Sequence, residues 1–137
     1  MVAAVKYELA KEVMVEAGNM GSDTWQVILS NTTPNVATHT TAASATELGT
    51  AGGYTAGGNN AAVTTSAMSG SDYKLVLADP TAWTGSGAGF TFRYVILYNL
   101  TRTQCFLYWD YTSSQLVALN ETLTVDLSAA NGVFTVT

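Results

Sequence analysis

Residues 90–99, Phe90-Thr91-Phe92-Arg93-Tyr94-Val95-Ile96-Leu97-Tyr98-Asn99, decide the fold class. Read at a period of two, Phe90, Phe92, Tyr94, Ile96 and Tyr98 fall on one face, and Thr91, Arg93, Val95, Leu97 and Asn99 on the other. Aromatic and β-branched side chains dominate, which suits a pleated strand. The apolar run from Tyr94 to Tyr98 is far shorter than the roughly 20 residues of a membrane span. Residues 104–111 repeat the pattern, with Cys105, Leu107, Trp109 and Tyr111 alternating with Gln104, Phe106, Tyr108 and Asp110. An antiparallel sheet with one wet face alternates cleanly between apolar and polar residues. Here both faces are partly apolar, so a helix, a long loop or another subunit should cover the second face.

The neighbouring segments extend this reading. Trp25, Val27 and Leu29 alternate with Gln26, Ile28 and Ser30, and further strands are expected at 61–66, 73–78, 115–119, 122–127 and 132–136. Turn signals separate them at Ser69-Gly70-Ser71-Asp72, Asp79-Pro80, Gly85-Ser86-Gly87, Thr112-Ser113-Ser114 and Asn131-Gly132. The Asn-Gly pair is the strongest hairpin signal among them. About eight short strands joined by turns imply an all-β fold, an antiparallel β-sandwich of jelly-roll type. One domain is expected at 23–137, preceded by an arm at 1–22.

Two segments break the period of two. Residues 3–17 carry Val5, Leu9 and Val13 at helical spacing, with Lys6, Glu8, Lys11, Glu12 and Glu16 opposite, and Gly18-Asn19 as a stop. A helix this short needs a partner surface, in its own chain or in another. Residues 31–53 are rich in Thr and Ala, show no period and include Pro34 and His39. Loops of that length are usually functional or mobile. In Gly52-Gly53-Tyr54-Thr55-Ala56-Gly57-Gly58, four glycines bracket one aromatic anchor, a pattern for close backbone approach.

The charge count excludes several functions. The 137 residues hold only five Lys+Arg and ten Asp+Glu, 11% charged against roughly 25% in an average domain, with net charge −5. Nucleic-acid binding needs a clustered basic footprint, whereas Lys6, Lys11, Lys74, Arg93 and Arg102 are scattered and no basic residue follows Arg102. No membrane segment is expected. The N-terminus has no basic region followed by an apolar core, so synthesis in the cytoplasm is expected and the Asn-x-Thr triplets at Asn31, Asn99 and Asn120 read as chance. Cys105 is the sole cysteine, read as a buried thiol formed under reducing conditions.

No constellation of catalytic residues stands out. His39 is the only histidine and lies in the long loop, with Glu47 the nearest acid. There is no Cys/His pair or Asp-x-Asp run for a metal, and Asp72, Asp79, Asp110 and Asp126 read as turn or edge acids. Gly85-Ser86-Gly87-Ala88-Gly89 opens a strand, not the helix a phosphate cradle requires. Catalytic, cofactor and metal residues are therefore expected to be none, and the chain is expected not to be an enzyme. Residues expected at an interface are Val5, Leu9, Val13, Tyr54, Trp83, Tyr108 and Trp109. If exposed, Tyr54, Trp83, Trp109, Tyr108 and Tyr111 would also suit stacking on sugars.

Several stretches together carry a family resemblance. They are Thr24-Trp25-Gln26-Val27-Ile28-Leu29, Gly53-Tyr54-Thr55-Ala56-Gly57-Gly58, Leu77-Ala78-Asp79-Pro80-Thr81-Ala82-Trp83, residues 92–99 and Leu107-Tyr108-Trp109-Asp110-Tyr111. In order and spacing, over about residues 20–137, they resemble a family of small tailed-phage virion structural proteins. The resemblance implies a β-sandwich building block on the capsid exterior, a head decoration or cement protein. Its implied partners are the major capsid protein and further copies of itself, a trimer being favoured, with no cofactor. The long amphipathic N-terminus and the acid-poor strand ending in Leu107-Tyr108-Trp109 depart from the family pattern. The alternative is a tail- or fibre-associated module that binds host surface glycan or connects tail components.

Overall fold

The structure, a computed structural model, describes residues 3–8, 10, 19–127 and 132–136. Within them the chain is all-β, with ten strands and antiparallel pairing throughout. They are β1 (Val5–Lys6), β2 (Trp25–Ser30), β3 (Asn59–Asn60), β4 (Val63–Ser69), β5 (Asp72–Leu77), β6 (Trp83–Thr84), β7 (Phe90–Asn99), β8 (Gln104–Val117), β9 (Thr122–Leu123) and β10 (Phe134–Val136). A five-stranded sheet runs β1-β8-β7-β2-β3, a three-stranded sheet runs β10-β5-β4, and β6 pairs with β9.

The decisive stretch, β7, lies inside the larger sheet between β2 and β8. Its register with β2 sets Val27 opposite Leu97 and Ile28 opposite Ile96, so apolar side chains meet across the ladder. β7 and β8 are joined through residues 100–103, where Thr103 takes a positive φ. Asp23, itself buried, anchors that corner: its Oδ2 accepts from Asn99 Nδ2 at 2.8 Å and from Arg102 Nε at 3.2 Å. Leu75, Leu77 and Phe134 of the smaller sheet join the same contiguous core as Trp25, Ile96 and Leu107 of the larger one. The ends of the two sheets also meet, with Lys6 Nζ 4.9 Å from the centre of the Phe134 ring.

The second apolar face of β7 and β8 is covered from within the chain, by residues 31–53. Ala45 is buried, and Val36, Ala42 and Leu48 pack on the core. The segment crosses three strands. Ser30 Oγ lies 2.8 Å from both the Ala45 and Thr46 carbonyls, and Leu48 N–H donates to the Leu29 carbonyl at 2.9 Å. On β8, Cys105 N–H donates to the Thr40 carbonyl at 2.6 Å. On β7, the Tyr98 hydroxyl meets the Ala42 backbone. The long loop is thus a built cover, and its many backbone bonds explain why it needs no regular period.

Several sequence expectations require correction. Val5 and Lys6 form a strand paired with Tyr108 and Leu107, not the first turn of a helix, because the β8 edge supplies backbone partners there. Most of the rest of that expected helix, including Leu9 and Val13, lies outside the described residues. Among the described residues the strands number ten, not about eight. Gly132 takes a positive φ and β10 pairs with β5, whereas the expected Asn-Gly turn, with Asn131 and the residues before it, lies outside the described residues.

The expected turn at Thr112-Ser113-Ser114 is a bulge inside the continuous strand β8. Phe92 pairs with Gln115 and Tyr94 with Asp110, so Arg93 alone faces residues 111–114. A wide insertion of this kind kinks the strand without ending it. Asp110 holds it: Oδ1 accepts from Thr112 N–H at 2.7 Å and from Arg93 Nε at 2.8 Å, while Oδ2 accepts from Arg93 Nη2 at 3.0 Å.

The Arg93 hydrogen bond, with help from the Thr112 amide, holds the Asp110 carboxyl below its ordinary value. A carboxylate depressed in the folded state stabilises fully above its unfolded pKa of roughly 3.9, and that stability is lost as pH falls through the lower folded value. Urea midpoints measured from pH 7 down to pH 2.5 are therefore expected to fall less steeply in Asp110→Asn than in the parent chain. Superimposable acid limbs would remove Asp110 as the holder of the bulge.

Candidate functional surfaces

The aromatic residues expected at an interface are mostly building material for the core. Tyr54 is 1% exposed, stacks with Trp83 at 6.2 Å between ring centres and is tilted against Phe90 at 6.0 Å. Its hydroxyl donates to Glu47 Oε1 at 2.6 Å and accepts from Leu29 N–H at 3.2 Å. Burial first, and the bond to the Glu47 carboxylate second, push that hydroxyl far above its ordinary value. Gly57 N–H donates to the same Glu47 oxygen at 2.5 Å, so one carboxylate joins the loop cover to the glycine-rich turn.

Trp83 and Trp109 are buried as well, and the Trp83 indole N–H has no hydrogen-bond partner among the described residues. Tyr54, Trp83 and Trp109 are thus not surface residues, and neither a sugar nor a partner can stack on them without opening the core. The sequence pattern misleads here because an aromatic beside glycines reads the same whether the turn folds inward or outward. Tyr108 is half-buried, its ring edge-on to Tyr7 at 5.8 Å and to Tyr94 at 6.1 Å. Val5 is 45% exposed on β1 and is the one aliphatic candidate that the described surface presents.

The polar candidates are dispersed. His39 is half-buried in the cover, where its Nδ1 accepts from Asn35 N–H at 3.2 Å. Asp79 Oδ1 accepts from Leu127 N–H at 2.6 Å, whereas Asp110 belongs to the β7–β8 bulge. Among the described residues no group of three or more His, Cys, Asp or Glu is placed to hold a metal ion. In the Gly85–Gly89 run, Ser86 N–H donates to the Gly52 carbonyl at 2.9 Å and Gly89 N–H to the Ser86 carbonyl at 2.8 Å. Those amides serve a turn that leads into β7 and are not free to face a phosphate.

Two further surfaces lie outside the interface residues expected from the sequence. The first is an open cleft of about 420 Å³ beside the β8 bulge, lined by Phe92, Tyr111, Gln115, Leu116, Glu121 and Leu123. Tyr111 stands edge-on to Phe92 at 5.3 Å, and partial burial pushes its hydroxyl up. Leu116, on the rim, and nearby Leu119 are each 58% exposed. Treating residues 112–114 as a turn separated Tyr111 from Leu116, so the cleft had no signature in the one-dimensional pattern. The second surface is the outer edge of β4, where Val63 is half-buried and every later residue is exposed.

Searches against protein-family models, curated proteins and solved structures yield no match to this chain. The class that the structure itself defines is an all-β protein with antiparallel sheets.

Proposed function

We propose that this chain is a non-enzymatic structural protein of a tailed-phage virion, a decoration or cement protein on the capsid exterior that bridges and stabilises capsid subunits. In this reading the five- and three-stranded sheets are the two layers of a β-sandwich, and the major capsid protein is the principal partner. One observation carries it: the signature residues behind the family resemblance serve the scaffold. Of these, Tyr54 stacks on Trp83 with Phe90 tilted against it, Tyr54 and Gly57 both bind the Glu47 carboxylate, and Asp79 holds Leu127. A signature that specifies a rigid shell suits a building block, which acts through buried area multiplied by symmetry. The low charge count suits a surface that is covered on assembly.

The test is reconstitution. Heads assembled without this chain should lose resistance to heat, and adding the purified chain back should restore both resistance and density on the outer surface in electron micrographs. Unchanged resistance with no bound density would reject the reading.

A second reading, a tail- or fibre-associated module that binds host glycan, draws on the Tyr111 cleft. A half-exposed ring beside Gln115 and Glu121 offers both stacking and polar contacts to a sugar. Glycan-array signal that vanishes in Tyr111→Ala would favour it.

A further inference from the structure

We propose that the outer edge of β4 is the seam at which a second copy of this chain docks, strand against strand, antiparallel and about a two-fold axis. The inference rests on the sheet alone and stands apart from the virion reading.

The fold manages its other sheet ends by keeping them short. In the two larger sheets β1 and β3 have two residues each and β10 has three, whereas β4 has seven and ends the smaller sheet with no described strand beyond it. Exposed edges in monomeric proteins usually carry charge or proline, which discourage pairing. Val63-Thr64-Thr65-Ser66-Ala67-Met68-Ser69 has neither. The irregularity between Val63 and Thr65 bends only its beginning. Met68, 64% exposed, is the most exposed large apolar side chain among the described residues and sits opposite Tyr73. It therefore shares the face from which Leu75 and Leu77 enter the core.

The backbone is also ready to pair. Gly70-Ser71 closes the β4–β5 hairpin, with Ser69 opposite Asp72 and Gly70 at positive φ. A two-residue turn makes that flanking pair hydrogen-bonded, so Ser69 and Ala67 point their backbone groups at β5. Ser66 and Met68 point theirs outward.

A second copy is the occupant that the strand itself fits. Each chain carries net charge −5, yet the seam is uncharged, so self-pairing meets no like-charge contact there. With the axis at Ala67, the smallest side chain available sits at the closest approach, and Ser66 of each copy pairs with Met68 of the other. Four backbone hydrogen bonds form, the exposed Met68 is covered, and the sheet continues as six strands. Lys74, opposite Ala67 on β5, then lies three strand spacings from its mate, roughly 14 Å. That exceeds the screening length of about 8–10 Å at physiological salt. A two-fold seam closes at a dimer, not at the trimer that the family resemblance favours.

The experiment is sedimentation velocity on the full chain over a wide concentration range. It includes Ala67→Lys, Ala67→Glu and their equal mixture, with hydrogen exchange at the Ser66 and Met68 amides of the unmodified chain. The expected result is a concentration-dependent monomer–dimer equilibrium, weakened about tenfold or more in either variant alone and restored in the mixture. The two outward amides should gain protection as dimer forms. A chain that stays monomeric with those amides unprotected would overturn the proposal. So would an oligomer indifferent to both substitutions, or a fixed trimer.

Discussion

Gly58→Ala is expected to destabilise the chain by more than about 3 kcal/mol, a large part of the roughly 5–15 kcal/mol that holds a domain together. Gly58 has φ +63°, in the left-handed region that costs an alanine about 1–2 kcal/mol. The larger cost is steric: a Cβ there would fall on the Val27 carbonyl oxygen. Val27 belongs to β2, which is paired on one side with β3 and on the other with β7, so it cannot move aside without breaking a ladder. Gly87→Ala is the control. Gly87 has φ +56°, but a Cβ there meets nothing within 4 Å, so only the conformational cost of about 1–2 kcal/mol is expected. Urea midpoints of the two variants give the comparison, and equal losses would mean that Gly58 is no close-approach position.

Glu47→Ala should cost about 2–3 kcal/mol, because hydrogen bonds to a charged acceptor are worth more than neutral ones and their donors would be stranded. The Tyr54 hydroxyl and the Gly57 amide both lose their acceptor, and Tyr54 is buried. Glu47→Gln keeps an oxygen at that place and should recover a substantial part of the loss. If the glutamine and alanine variants melt together, the carboxylate is not what fastens the cover to the glycine-rich turn. The same substitution should loosen residues 31–53 selectively, because Ser30 pairs with Glu47 in an isolated bridge just where the cover begins to cross β2.

What could be read in advance follows physical lines. The strand at 90–99 was legible because its alternation is local, and its exact span reappears as β7. The need for cover on both faces was legible too, since Tyr94, Ile96 and Tyr98 on one side and Val95 and Leu97 on the other leave no polar side to wet. Which segment supplies that cover was not legible. Residues 31–53 bind the sheet mainly through backbone groups, and backbone bonding leaves no periodic trace in side-chain identity. Arg93 and Asp110 gave no warning that they clamp a bulge, because the register shift depends on pairing between distant residues. The seam at β4 lay hidden for a related reason. Its residues look like any Thr/Ser-rich strand until the topology leaves them at the end of a sheet.

The most direct test of the central claim, that the chain covers both apolar faces of its main strands by itself, is the labelling rate of Cys105. This thiol is buried under the cover, its Sγ 3.6 Å from the Thr41 carbonyl, and burial pushes its pKa up to about 12. Labelling with an aromatic disulfide at pH 8 across a series of urea concentrations compares the opening that exposes Cys105 with unfolding of the whole chain. The expected result is slow labelling whose dependence on urea matches global unfolding. Rapid labelling in the absence of urea, with little dependence on it, would contradict the claim and show that residues 31–53 do not seal the sheet.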